Sequence, residues 1–272
     1  MANPTQAPMQ TDPILQDRLP HLSWMDPRTR RLPGIQPVEG EDWLRLDEAY
    51  AAQMALRDRL IAADPDLVHA LLPEGRLAAT ELLDAVLTWA RGVPGFGLDE
   101  ARIRRPDGLV VPLDPDTPLL TLGRLVQEDL CLMQSDGGAY RLTGAILCFP
   151  ASWTLAQKLG RPLTDIHGPV PAYDAELARR VDRMFSAIRP DQPLWRMNYL
   201  TYDDFTLHQP RREGESRPRP QTHGFVRSER QCLVRLPVSR AVVFSIHTYV
   251  VKAAAVPDEA LAALRAAVHP KA

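Results

Sequence analysis

Two β-patterned runs, Leu130–Gln134 and Tyr140–Cys148, flank Ser135-Asp136-Gly137-Gly138. A turn of that composition between two such runs is the local signature of a β-hairpin. Three further strands follow it, over Leu194–Tyr202, Gly224–Leu236 and Arg240–Val251, with the polar loop RREGESRPRP (Arg211–Pro220) joining the first two. Helical patterns surround these strands. Trp43, Leu46, Tyr50, Met54, Leu60 and Ile61 recur at helical spacing, with Asp42 placed to cap the start. A second helix is predicted over Ala78–Arg91 and a short third one near Leu119–Gln127. Between those two, 92–117 is rich in Gly, Pro and Asp, and predicts loops with one short strand at Leu109–Leu113. Further helices are predicted at 153–159 and 174–189, the latter through the apolar stripe Leu177, Val181, Met184, Phe185 and Ile188, and a last one over Asp258–Ala267. Helices, a hairpin, helices and three antiparallel strands make an α+β chain with one central antiparallel sheet and flanking helices.

A chain of 272 residues with 45% hydrophobic and 24% charged residues is ordinary for a soluble globular protein and long enough to fold without disulfide staples. The proline-rich segment 1–40 predicts an extended arm wrapped on the surface or partly disordered, leaving 41–272 as a single domain with N-terminal helices. Thirty-two basic against 34 acidic residues give a net charge of −2, so there is no basic field for wholesale capture of nucleic acid. No apolar run approaches the ~18 residues that span a bilayer. The start of the chain lacks the basic-then-apolar order of a signal peptide, and Cys131, Cys148 and Cys232 lie in apolar runs without a C-x-x-C. A cytoplasmic protein with buried thiols is expected.

No G-x-S-x-G, P-loop or H-E-x-x-H occurs, and Gly92–Gly97 lacks the spacing of a dinucleotide fingerprint. Hydrolase, NTPase and Rossmann chemistries lose their support. The remaining candidates are polar residues in apolar settings. His167 precedes Pro169 and Pro171, which stiffen the turn that carries it; such a histidine can ligate a metal or hydrogen-bond the loop backbone. Glu128 and Asp129 lie where a helix meets the first hairpin strand. Arg196 and Asn198 share one face of their strand, opposite Trp195, Met197 and Tyr199. In the next strand Arg227, Glu229 and Gln231 share a face, and Arg230 takes the other, where it can reach an anionic group. His247 alternates with apolar neighbours.

Six segments in order carry a resemblance: Val126-Gln-Glu-Asp-Leu130, Phe149-Pro-x-x-Trp153, Lys158-Leu-Gly-Arg-Pro162, Ile166-His-x-Pro-Val-Pro171, Arg196-x-Asn198 and Glu229-Arg-Gln231. Over about Gly34 to Val251 the chain resembles the α subunit of the haem-dependent oxidative N-demethylases and the wider group of bacterial proteins that share that domain. The resemblance implies a PAS-like antiparallel sheet holding haem b and a monooxygenase-type oxidoreductase that demethylates a small secondary amine such as dimethylamine with O2. Electrons from NADPH would arrive through partner subunits carrying FMN and a 2Fe–2S cluster, and a tetrahydrofolate-dependent partner would take the formaldehyde. This chain has no flavin motif or cysteine cluster, so electrons must come from elsewhere. Within that frame His167 is the expected axial ligand of the iron, with His247 behind it. Arg196, Asn198 and Tyr199 would supply distal donors, Arg230 would pair with a propionate, and Glu128, Asp129 or Glu229 would surround an amine. These roles rest on residue chemistry. A PAS-like haem or small-molecule sensor without turnover is the alternative reading.

Overall fold

The computed structural model describes residues 14–31, 33–40, 42–135, 137–167 and 175–268, except for the side chains of His167, of 175–180 and of Val268. After the two-residue strand β1 (Gln36–Pro37) come helices α1 (Tyr50–Ala63) and α2 (Pro65–Val68), then strand β2 (His69–Leu71) and helix α3 (Arg76–Arg91). Short strands β3 (Gly97–Leu98), β4 (Arg102–Arg104) and β5 (Val110–Pro112) lead to helix α4 (Pro118–Gly123) and the hairpin β6 (Asp129–Gln134) and β7 (Arg141–Ile146). Helices α5 (Leu155–Lys158), α6 (Leu163–His167) and α7 (Ala175–Ala187) precede the long strands β8 (Leu194–Tyr202), β9 (Phe225–Arg235) and β10 (Val242–Lys252). Helix α8 (Asp258–Val268) follows.

Seven strands form one sheet in the order β1-β8-β9-β10-β6-β7-β2, and every pairing in it is antiparallel. Strand alternation gives this sheet two different coats. Leu130, Leu132, Ile146 and Val243 face a core completed by Leu56 of α1, Leu82 and Val86 of α3 and Leu119 and Leu122 of α4. Cys131, Met133, Ala145, Leu233 and Val242 face the other way, onto Leu155, Leu163 and Phe185 of α5–α7 and Ile188 just after α7. The described part of the arm lies against the far end of the sheet. Gln16 donates its amide to the Val250 carbonyl at 3.1 Å, and Trp24 donates its indole N–H to the Ala260 carbonyl of α8 at 2.8 Å.

Several expected boundaries move, each for a local reason. The helix predicted from Trp43 starts only at Tyr50, because Glu128 accepts the Arg45 amide and Gln127 accepts the Asp47 amide, which binds 43–49 to the residues leading into β6. Asp42 pairs with Arg45 and does not cap a helix. The helix expected to reach Gln127 stops at Gly123, since side chains of α1 take the carbonyls beyond it: Arg57 those of Gly123 and Gln127, Tyr50 that of Leu125. The segment read as loops with one strand holds the second sheet, β3-β4-β5, anchored by buried Arg105 bonded to Asp58, Asp107 and the Arg124 carbonyl. His167 is the last residue of the short helix α6, and the prolines expected to fix the turn after it lie outside the described residues. No helix among the described residues is long and apolar enough to cross a membrane.

Candidate functional site

On the α5–α7 side of the sheet, β8 and β9 bring Arg196, Asn198 and Tyr202 beside Arg227, Glu229 and Gln231, with Asn198 opposite Glu229 and Arg196 opposite Gln231. Thr248 of β10 stands opposite Glu229 on its other flank, so it shares that face. Asn198 grips its partner twice: its side-chain amide donates to Glu229 Oε2 at 2.8 Å, and its Oδ1 accepts the Glu229 backbone N–H at 2.9 Å. Gln231 donates to the same Oε2 at 3.1 Å and Arg227 to Oε1 at 3.2 Å, so both carboxylate oxygens are engaged.

Around this clamp four buried polar atoms have no hydrogen-bond partner: Arg196 Nε, Tyr202 Oη, Arg227 Nε and Thr248 Oγ1. A buried donor left unmade costs about 1–3 kcal/mol, so four on one sheet face mark a place built to receive an acceptor. Arg196 makes no hydrogen bond or ion pair among the described residues, and burial lowers its pKa against the pull of Glu229. The set is two guanidinium nitrogens and two hydroxyls, which suits an oxygen-rich, negatively charged guest.

The opposite side of the sheet takes other expected site residues and gives them structural work. His247 is buried with Nδ1 2.9 Å from Glu128 Oε1 and Nε2 3.0 Å from Asp47 Oδ2. Burial opposes its charge, yet Tyr249, Glu128 and Asp47 hold its pKa well above the ordinary value. An imidazolium with both nitrogens on carboxylates has no lone pair for iron, which takes His247 out of the cofactor site. Glu128 uses Oε1 for this contact and for the Arg45 amide, on the side of the sheet away from the donor cluster, and its buried Oε2 has no partner. Arg230 donates to Cys232 Sγ at 2.9 Å and to the Asp42 carbonyl at 2.6 Å, so it is not free for a propionate. Tyr199 packs edge-on against Trp24 at 5.0 Å, on the face opposite Arg196 and Asn198, as alternation requires.

Asp129 is structural as well. It binds Arg57 Nη1 at 2.7 Å and accepts the amides of Cys148 and Phe149, which fixes the chain leaving β7. The three cysteines are buried, with Cys148 and Cys232 each pushed up to about 12 by burial, so none is a reactive thiolate. The side chain of His167 lies outside the described residues, as do Gly168–Asp174. A histidine not singled out from the sequence stands next to a residue that the cluster holds. His208 Nδ1 lies 2.8 Å from the Cys148 carbonyl, and Arg227 binds the carbonyl of the preceding Leu207 at 2.9 Å. Because a carbonyl only accepts, His208 Nδ1 carries a proton, the ring orientation in which a metal-ligating histidine presents Nε2.

A family model described as haem-dependent oxidative N-demethylase, alpha subunit-like, matches residues 34–269. The chain belongs to this family. The match extends past the segments that carried the resemblance and takes in every residue of the donor cluster. Haem fits what the family's sheet presents here. It brings its own equatorial nitrogens, so it needs no cluster of protein ligands, and none of three or more His, Cys, Asp or Glu occurs among the described residues. Its carboxylates are the kind of acceptor that the unpartnered guanidinium and hydroxyl groups lack. Sequence reading found Arg196 and Asn198 and put Arg227, Glu229 and Gln231 on one strand face, but missed Tyr202 and Thr248. Tyr202 has the same strand parity as Arg196 and Asn198, and that signal was readable. Thr248 needed the β9–β10 register.

Proposed function

We propose that this protein is the haem-binding catalytic subunit of an oxidative N-demethylase acting on a small secondary amine, dimethylamine being the type substrate. The observation that carries the reading is the family match over 34–269, which coincides with a sheet face bearing four buried, unpartnered polar atoms. A hairpin, intervening helices and three returning strands that close on β6 support a PAS-like frame for it. Bound haem b would supply oxidation of the amine's methyl carbon by O2, with electrons delivered from outside the chain. Reductase partners with FMN and a 2Fe–2S cluster, and a folate-dependent partner for formaldehyde, complete the proposal, in a cytoplasmic setting.

This chain's own residues would do the holding and orienting. His167, from the sequence, would hold the haem iron, and His208, whose Nδ1–H donates to the Cys148 carbonyl, is the second candidate for that role. Arg196 keeps a desolvated N–H for an oxygen acceptor on the sheet face. Glu229, locked by Asn198, Gln231 and Arg227, provides fixed negative charge against which an ammonium can be oriented. Because both its oxygens are engaged, Glu229 orients and does not relay protons.

The test is the visible spectrum of protein expressed with a haem precursor, before and after dithionite and carbon monoxide. A Soret band that shifts at each step, followed by formaldehyde release from dimethylamine with a reductase present, is the expected result. Haem binding without turnover of any methylamine would leave a sensor-type module, and a colourless protein that takes up no hemin would remove the reading. His167→Ala and His208→Ala then assign the axial ligand: the variant that loses or shifts the Soret band held the iron.

A further inference from the structure

The unpartnered donors are unevenly placed along the sheet face. Arg196 and Thr248 lie near its middle, while Tyr202 and Arg227 lie toward the end where β8 leaves the sheet. There the loop between β8 and β9 folds back over them. Arg217 stacks its guanidinium over the Tyr202 ring, 4.1 Å from the centroid, and donates to the Thr201 carbonyl at 2.9 Å. Arg211 is tied to the same loop through the Ser216 carbonyl at 3.0 Å, and its buried Nε has no partner. Tyr202 is 6% exposed with an orphaned hydroxyl, and Arg227 is 3% exposed with an orphaned Nε.

Acidic groups nearby do not cancel this charge. Glu229 meets only one terminal nitrogen of Arg227. Glu213 faces away onto Lys158 and Arg161. Asp203 is turned into the amides of Gln221, Thr222 and His223, and Asp204 into that of Thr206. Burial, with a smaller push from Glu229, raises the Tyr202 phenol while Arg227, Arg217 and Arg211 pull it down, so three cations against one carboxylate act on this hydroxyl. Three arginines gathered on a buried phenol, with unmade N–H and O–H donors among them, lack an anion.

We propose that Tyr202, Arg211, Arg217 and Arg227 form a subsite for one ionised carboxylate group. The hydroxyl and the two unpartnered Nε–H groups donate to its oxygens, and Arg217 closes over it. Two sources carry such a group: a propionate of haem, which rests on the function proposed above, and the carboxylate of an N-methylated amino acid, which would redefine the substrate class. The guanidinium–carboxylate chemistry is the same for both.

Hemin and hemin dimethyl ester, titrated into haem-free protein and followed at the Soret band, separate the two sources. Sodium acetate labelled at its carboxyl carbon, read by line broadening, reports the subsite without haem. Tyr202→Phe keeps the ring that Arg217 covers, and Arg211→Gln touches only the loop, so both variants retain the fold. If a propionate sits there, hemin binds wild-type protein about 10-fold or more tighter than its ester, and either variant erases the difference. If a substrate carboxylate sits there, hemin and ester bind alike, and acetate broadening seen with wild type is lost in both variants. Hemin preference and acetate broadening that are both indifferent to Tyr202 and Arg211 overturn the subsite. A wild-type protein that binds no hemin defeats the haem function alone, since the acetate measurement on the same sample still decides the subsite.

Discussion

His247 shows how far a residue's role depends on what folds around it. From the sequence it is one histidine in an apolar strand. In the structure it is an imidazolium between Asp47 and Glu128, joining the segment before α1 to the central sheet. Its folded pKa lies above the unfolded value of about 6.5, so its contribution to stability is whole below pH 6.5 and disappears as pH rises through the folded value. Asp47 works in the opposite sense: burial raises it, but His247, Gln127 and Gln16 bring it below the usual carboxylate value, so its share is lost as pH falls through that lowered value. Urea midpoints measured across pH should decline on the alkaline side for wild type. His247→Gln should start lower and lose that alkaline slope; a variant that keeps the slope would place the titration elsewhere. The partners explain why this was hidden. Asp47 and His247 are 200 positions apart, and neither carries a local mark of the other.

At the scale of elements, legibility followed the source of each element's order. Strand β8 runs Leu194–Tyr202 as its alternation predicts, and β9 and β10 fall within two residues of their expected bounds, because long strands carry their own period. Strands β1 and β2 exist through pairing with distant partners and β3 and β4 through pairing with each other, and their two or three residues hold no period to read. Helix α4 ends where packing ends it. A Cβ on Gly123 would lie 2.5 Å from Ile146 Cγ1 of β7, so the helix can approach the sheet only through a hydrogen atom. Gly123→Ala should therefore cost about 1–3 kcal/mol by overpacking, despite alanine's better helix propensity. A chemical-denaturation midpoint equal to or above wild type would mean that Ile146 moves aside freely.

For the molecule as a whole, the arm is part of the body. Trp24 is buried against Val226, Val251 and Leu264, and its indole bonds the Ala260 carbonyl. Trp24→Ala should cost about 3–5 kcal/mol, and limited proteolysis should then cut within 14–31 before the sheet opens. Equal protease resistance in wild type and variant would show that Gln16 and the backbone bonds hold the arm alone. The candidate site was half legible for a related reason. Arg196, Asn198 and Glu229 declare themselves by strand parity, whereas Thr248 and the arginines of the 203–224 loop join them only through register and loop closure.

Strand β10 presents His247 to one side of the sheet and Thr248, the next residue, to the other. Gln16 holds the Thr248 carbonyl at 3.3 Å and also reaches Asp47 at 2.8 Å. The strand thus acts as a party wall: the mortar is on the arm side, and the donor cluster is on the other. Loosening the imidazolium from its carboxylates at alkaline pH slackens the wall behind the donor cluster. A guest seated there would be released although none of the groups touching it had changed charge.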